Sequence, residues 1–413
     1  MPKKTQILAG IDVGTTKICS TCARTVGDRV EILGTGWAPS RGLKKGVVVN
    51  LSETIDSIRH SLEEVEKQSN AAVESAFVSI GGAFIRAVNS EGQTDVRSRS
   101  GEITEEDVER AIAAASSMEV PEEYQVIHKL TRSFTVDGQN GIVNPLGMSG
   151  RQLSVSLHVV MNASPVVQNI VNAINKAGVL VDGVVMQQLA SAEAVLSEDE
   201  KEIGTILVDI GGGTTDVAVY SQGSIWHSEV LPMGGTMITK DIAIGLKIPL
   251  QEAEELKREA GCVFPESVPP EELIEVSEVG SGRRRTMSRR RLCEIIQARC
   301  DEIFGAIAQV ITRVGVQSDL VTGVVMTGGG SLLDGLVNRA EQLLGMSVRV
   351  GYPINVVPRE HRAFHPAYAT CLGLLRYTRD VQGRVPLNGR PMRGGRPMGA
   401  AERVRSWFLE RIE

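Results

Sequence analysis

Apolar residues recur along this chain in two rhythms. Stretches rich in apolar residues at 7–10, 76–80, 179–185, 205–208, 217–220 and 321–326 predict strands, buried at 205–208. Stretches with apolar positions three and four apart predict helices that pack one face on a sheet. The clearest covers 52–69, where Ile55, Ile58, Leu62 and Val65 share a face and Ser52 is the expected N-cap ahead of Glu53. Thr104 caps a second, over 104–118, with Glu105 and Glu106 in its first turn. A third covers 164–178, with Ser164 as N-cap, Pro165 at the first helical position and Gly178 past the end. Further helices are expected at 187–195, 239–246, 250–260, 289–314, 332–344 and 366–375. Strands and helices in alternation predict an α/β fold.

Between two of the strands the pattern breaks into Asp209-Ile-Gly-Gly-Gly-Thr-Thr-Asp216. Gly211, Gly212 and Gly213 let the backbone turn sharply and approach a ligand closely. Their N–H groups, with the hydroxyls of Thr214 and Thr215, predict an anion cradle. Asp209 and Asp216 would repel phosphate unless a cation lies between, so the fitting ligand is a nucleotide with Mg2+ held largely through its waters. The same device opens the chain: strand, then Asp12-Val-Gly14-Thr15-Thr16-Lys17, then strand. Two copies predict two similar halves with phosphates between their turns, and Lys17 as the point charge that reaches them. Gly234 and Gly235 precede the helix at 239–246, a favourable site for phosphate. Gly328, Gly329 and Gly330 form a third glycine turn between a strand and the helix at 332–344. Glu254 and Lys257, three apart on a helix, either flank a ribose or base or form an ordinary exposed pair.

Two helices, 187–195 and 366–375, are built of small residues that permit close packing, which suits a hinge between the halves. Gln187 stands at the start of the first, near the phosphate site. Residues 84–161 read as a small inserted α+β module, with His128 and His158 as structural histidines and a turn-rich loop at 141–150. Arg283, Arg284, Arg285, Arg289, Arg290 and Arg291 predict a dense basic loop, either solvated or facing an acidic partner.

Residues 381–399 are rich in Gly, Pro and Arg and contain no acidic residue, the composition of a linker. Flexible, it reaches about 25 Å; extended, roughly 60 Å. In the last stretch, 400–413, Val404, Trp407, Phe408 and Ile412 fall on one helical face with Leu409 beside them. Arg403, Arg405 and Arg411 lie on its polar side or edge. A helix of this kind after a long tether predicts an interfacial membrane anchor for anionic lipid. One such helix binds weakly, so several copies on a polymer would act together.

The bulk numbers narrow the picture. With 413 residues the chain can fill more than one domain, and a formal net charge of −6 excludes a general nucleic-acid surface. The six cysteines are scattered, and Cys19 and Cys22 fall on a predicted strand facing opposite sides, so reduced structural thiols are expected. The first residues enter a strand directly, so no signal peptide is expected. No apolar run approaches the ~20 residues of a membrane span.

The three glycine turns and two small-residue helices resemble the superfamily of actin, DnaK-type chaperones and sugar kinases. Asp12–Lys17 matches its first phosphate motif, Asp209–Asp216 its second, and 325–331 its adenosine motif. Within it the chain closely resembles the FtsA family of bacterial actin-like cell-division proteins. That likeness rests on Pro39-Ser-Arg-Gly-Leu-Lys-Lys-Gly46, on the loop at 141–150, on Ala190-Ser-Ala-Glu-Ala-Val-Leu and on the tail.

The resemblance implies an actin-like two-domain α/β fold, duplicated ribonuclease H-like halves with a 1C insert. Residues 1–83, 162–195 and 360–380 would form subdomain 1A, and 84–161 subdomain 1C. Residues 196–236 and 305–359 would form 2A, and 237–304 would form 2B. It implies ATP and Mg2+ in the cleft, with Asp12 and Asp209 near the metal, and head-to-tail self-assembly at the cytoplasmic membrane. The tubulin-like division protein FtsZ would be held by its tail on 2B, and later division proteins through 1C. Where superfamily members often carry Glu-Pro, this chain has Gln187-Gln188, and actin has Gln. Gln orients water without acting as a base, so any ATPase activity is expected to be weak.

The alternatives on this fold are a chaperone, a pilus-assembly or MreB-like ATPase, and a small-molecule kinase. A DnaK-type chaperone is expected to carry a further C-terminal peptide-binding domain. A pilus-type relative is not expected to need a tethered amphipathic tail. A kinase needs a base carboxylate with a substrate pocket, and none stands out.

Overall fold

The computed structural model describes residues 7–26, 29–315, 320–354, 356–357 and 365–380. The linker and the helix expected at 400–413 lie outside the described residues.

The first half begins as a meander. β1 (Ile7–Val13), β2 (Lys17–Val26) and β3 (Arg29–Pro39) pair antiparallel in order. β1 is buried from Leu8 to Val13, as an apolar run at a sheet's centre must be. The short strands β4 (Leu43–Lys44) and β5 (Val47–Val48) lead into α1 (Leu51–Ser69). The N-cap of α1 is Asn50 rather than Ser52. Asn50 keeps an extended backbone and its side chain accepts the Glu53 N–H, whereas Ser52 is already helical. β6 (Ser75–Ile80) then runs parallel to β1.

The insert follows: β7 (Arg86–Asp95), α2 (Glu105–Ser116), β8 (Tyr124–Val136), β9 (Gln139–Ile142) and β10 (Gln152–Ala163). Its strands pair antiparallel in the order β7-β10-β8-β9. The alternation in β10 puts Leu153, Val155, Leu157 and Val159 into a core with Phe134 and with Val108 and Ala111 of α2. Thr104 and Asp107 close a capping box at the start of α2.

The chain returns through α3 (Ser164–Ala177), β11 (Leu180–Met186) and α4 (Gln187–Val195). Ser164 is inside α3; Ala163 holds the cap position with no side-chain bond, and Gly178 ends the helix left-handed as expected.

After α5 (Glu198–Ile203) the second half repeats the meander with β12 (Thr205–Ile210), β13 (Thr215–Ser221) and β14 (Ser224–Leu231). α6 (Gly235–Leu246) and α7 (Leu250–Glu259) come next, then the hairpin of β15 (Leu273–Ser277) and β16 (Arg284–Ser288). The expected basic loop is therefore a strand running into α8 (Arg289–Val314). Long apolar spacing along α8 buries Leu292, Ile296, Ile303, Phe304, Ile307 and Val310. β17 (Val324–Thr327) is shorter than the apolar run at 321–326 predicts, since Val321 is exposed. A short 3-10 turn, Gly329–Leu332, replaces the expected first helical turn, and α9 (Leu336–Leu344) starts later. β18 (Val348–Val350), β19 (Val356–Val357) and α10 (Ala369–Asp380) complete the described chain.

The two main sheets run β11-β6-β1-β2-β3-β19 and β14-β13-β12-β17-β18. Apart from β19, strand order and direction are the same in both, which is the duplication expected from the two turns and the arrangement that the family resemblance implies. α4 and α10 cross between the halves, where a Cβ on Gly373 would overlap the carbonyl of Ala190. The insert also reaches the second half. His158 on β10 bonds Asn89 Oδ1 at 2.7 Å and Ser228 Oγ at 2.8 Å, and Arg132 lies 4.4 Å over the ring of Trp226. Burial, with His227 and Arg132 nearby, pulls the His158 pKa down to about 3. His158 is therefore a neutral structural residue, as expected; buried His128 accepts the Met186 N–H.

Candidate functional site

Each half presents one tight turn where its first strand reverses into its second. The Gly14 N–H donates to Lys17 O at 3.1 Å, and the Gly211 N–H to Thr214 O at 2.9 Å. The strand registers also correspond: Val13 faces Ile18 as Ile210 faces Thr215, and Asp12 faces Cys19 as Asp209 faces Asp216. Hence Thr15-Thr16 occupy the places of Gly212-Gly213. The sequence likeness of Thr15-Thr16 to Thr214-Thr215 does not hold in space.

The two turns touch. A Cβ on Gly212 would overlap the Thr16 side chain, and one on Gly213 would sit 2.6 Å from Thr15 Oγ1. Glycine at the second tip makes room for threonine at the first. The Thr214 and Thr215 hydroxyls are not free for an anion: they donate to Asp216 Oδ2 at 3.2 Å and Met233 O at 2.9 Å.

Other elements close in. The Gly235 N–H donates to Gly211 O at 3.0 Å and the Thr236 N–H to Gly212 O at 2.8 Å, so the Gly234-Gly235 start of α6 abuts the second turn. Lys257 Nζ lies 2.6 Å from Glu254 Oε2, 2.9 Å from Thr239 Oγ1 and 3.2 Å from Gly235 O. Glu254 and Lys257 thus form a pair, and it sits against the glycine start of α6 rather than on an open face. The third turn, Gly328–Gly330, packs on Ile210, and Gly329 faces Ala367. Tyr368, beside Ala367, lies 5.4 Å under Lys17 Nζ.

Charge gathers at this junction. Asp12, Asp209 and Asp216 are buried. Asp12 Oδ1 accepts from Ser79 Oγ at 2.7 Å and Gln187 Nε2 at 3.2 Å, and its Oδ2 is 3.5 Å from Lys17 Nζ. Asp209 Oδ2 accepts from Ser191 Oγ at 2.6 Å. Burial raises the Asp209 pKa, Asp12 raises it further, and the Ser191 bond and Lys17 work against both. Burial raises Asp216 well above the usual carboxylate range, with Asp209 adding to it, and Asp216 Oδ1 has no hydrogen-bond partner. Burial opposes the charge on Lys17, but Asp12 and lesser contributions from Cys19, Cys371 and Tyr368 leave its pKa raised. Three buried carboxyl groups share one lysine, and burial together with this shortage of positive charge is what raises Asp209 and Asp216. An orphaned carboxylate oxygen among hard oxygen donors fits a divalent cation such as Mg2+. Among the described residues no three His, Cys, Asp or Glu side chains are placed to hold a metal directly.

Ser79, Ser191 and Thr370 orient the aspartates without any local mark in the sequence, and Asp216 joins the carboxylate cluster beside Asp12 and Asp209. Ser191 and Thr370 were visible only as small residues of helices. Of the six arginines, Arg285, Arg289 and Arg290 donate to main-chain carbonyls of Leu246, Ala260 and Val268. Arg284 and Arg291 pair with Glu275 and Glu294 and stay largely exposed. The basic stretch is thus half structural. Among the described residues no helix is long and apolar enough to cross a membrane.

Known proteins share both fold and sequence with this chain. The family model for cell division protein FtsA matches residues 206–373, and that for the SHS2 domain inserted in FtsA matches 82–161. Cell division protein FtsA of Pseudomonas aeruginosa is 38% identical over 407 residues, 97% of either chain. The chain belongs to the FtsA family. The FtsA proteins of Neisseria meningitidis and Escherichia coli are 35% and 33% identical, over 99% and 91% of either chain. Like them, it is an actin-like cell-division protein. Solved structures share the fold at lower identity. A PilM-PilN type IV pilus biogenesis complex aligns with a TM-score of 0.64 at 17% identity, over 89% of this chain and 97% of that one. MreB5 of Spiroplasma citri bound to ADP aligns at 0.53 and 13%, over 89% and 95%. FtsA-family sequence identity extends nearly end to end, whereas the pilus and MreB likeness is one of fold. This sets the pilus-assembly, MreB-like and kinase alternatives aside.

Proposed function

We propose that this FtsA-family chain binds ATP with Mg2+ between its halves and assembles head to tail with its own copies. On the cytoplasmic face of the cytoplasmic membrane, at the division septum, it holds FtsZ filaments and helps recruit later division proteins. One observation carries the cleft: two touching glycine turns beside three buried carboxylates and Lys17.

In this reading the main-chain N–H groups around Gly14, Thr15, Thr16, Gly211, Gly212 and Gly213 take the phosphates, with Gly234-Gly235 beside them and Lys17 supplying positive charge. Asp12 and Asp209 would hold Mg2+, largely through its waters, and Asp216 would add negative charge beside them. When bound, Mg2+ neutralises charge on phosphate and carboxylates alike. The third turn, Gly328–Gly330, with Glu254 and Lys257, holds the nucleoside. Gln187, an amide already bonded to Asp12, orients water but accepts no proton, so turnover is slow and nucleotide acts as an assembly switch.

Support for the membrane role comes from the sequence at 400–413: Val404, Trp407, Phe408, Leu409 and Ile412 with Arg403, Arg405 and Arg411 beside them. The FtsZ tail is assigned to 237–304 and later division proteins to 84–161. Liposome sedimentation compares the full chain with one ending at Gly399; equal pelleting sinks the anchor. The acidic-partner reading of the basic stretch is tested with Arg283, Arg284 and Arg291 alone. Neutralising Arg285, Arg289 or Arg290 also removes hydrogen bonds to carbonyls. Unchanged affinity for the FtsZ tail discards the contact.

A further inference from the structure

Asp209 is bound on several sides at once. Its Oδ2 accepts from Ser191 Oγ on α4 at 2.6 Å, and Thr370 Oγ1 on α10 lies 3.4 Å from the same oxygen. The two hydroxyls are 2.9 Å apart. Oδ1 lies against Gly328, where a Cβ would overlap it. In the sheet Asp209 pairs with Thr327 on β17 and with Asp216 on β13. One carboxylate therefore joins the second turn, the third turn and both helices that cross between the halves. Asp12 lacks this double link: its hydroxyl donor is Ser79, and only Gln187 of α4 reaches it.

A buried carboxylate needs hydrogen-bond donors or a cation in place of its lost water, and those donors also fix its orientation. Lys17 is bonded to Asp12, so the near donors to Asp209 are the two hydroxyls of the crossing helices. Ser191 and Thr370 are both buried, so their hydroxyls are shielded from bulk solvent.

We propose that Ser191 and Thr370 are positioning residues that fix the Asp209 carboxylate by hydrogen bonds from both crossing helices, so that metal-dependent nucleotide binding registers on α4 and α10. The proposal rests on reading the cleft as a Mg2+–nucleotide site. The two hydroxyls also meet each other across the α4–α10 contact, beside the close approach of Gly373 to Ala190, so the carboxylate and the helix crossing share one hydrogen-bonded cluster.

The test is the affinity of the full chain for ATP with excess Mg2+ and with EDTA. Ser191→Ala and Thr370→Val each lower affinity in Mg2+ by about 10-fold. With EDTA the change is under about 2-fold. Ser191→Thr and Thr370→Ser keep the hydroxyl and restore the affinity in Mg2+, which a packing role does not predict. Equal losses with and without Mg2+, or unchanged affinity in Mg2+, in variants that melt like wild type overturn the proposal alone. If Ser191→Ala or Thr370→Val unfolds, the proposal stands or falls on whether its hydroxyl-keeping partner retains the wild-type Mg2+ dependence. Wild type that ignores Mg2+ overturns the metal reading and this proposal together.

Discussion

The two glycine turns share a backbone and differ in nearly every side chain that matters. Both close on the same N–H to carbonyl bond, and both sit between the first two strands of the same sheet order. Yet the first carries threonines and a lysine where the second carries glycines and Thr214. The second carries Asp216 where the first has Cys19. A clamp made of two copies has to break its own symmetry. Two threonine tips would collide, and two glycine tips would leave a gap. Threonine against glycine fills the contact once, and it leaves the lysine on one side of the junction and two of the three carboxylates on the other.

That asymmetry can be broken at several places. The largest effect is expected from Gly212→Val, whose side chain must displace Thr16. It should cost about 1–3 kcal/mol in thermal or denaturant melts, and nucleotide affinity should fall at least ~10-fold. Adding Thr16→Gly should recover part of both; no recovery would mean that the tips do not meet as described. Next is Lys17→Met, expected to weaken ATP binding by about 10-fold in a filter or fluorescence assay, since the nearest cation is lost. Adding Thr214→Lys should not restore it, because Thr214 is buried and donates to Asp216. Restoration would show the two turns to be interchangeable after all.

The smallest effect is on stability. The Asp216 pKa is raised in the folded chain, so its favourable contribution is present at pH below the ordinary carboxylate value and is lost as pH rises. Asp216→Asn should therefore melt higher than wild type at pH 7 without nucleotide, by on the order of 1–3 °C. The difference should close toward pH 4. With Mg2+ and ATP the order should reverse, because wild type regains its cation. A variant no more stable than wild type at pH 7 would show that the carboxylate is not a source of strain.

Much of this was legible from spacing. The buried runs of β1, β12 and β13, the N-cap of α2 and the glycine end of α3 follow from periodicity and local chemistry. The errors came where several polar residues compete. Asn50 outcompeted Ser52 as a cap because backbone geometry, not residue type, selects the capping side chain. The arginine-rich stretch became a strand because Leu273–Ser277 was available to pair with it. A hydroxyl inside a small-residue helix gives no local sign of what it faces. Ser191 and Thr370 could be recognised only once α4 and α10 had crossed.

The sequence by itself determined the duplicated strand–turn–strand units, the glycines that permit tight turns and the small-residue helices that permit close crossing. These depend on steric freedom and periodicity, which are properties of neighbouring residues. Only the tertiary structure decided which turn offers side chains and which makes room. It alone gathered Asp12, Asp209 and Asp216 around one lysine and joined Asp209 to both crossing helices. Burial and charge act through space, and the groups that set them are nearly two hundred residues apart along the chain.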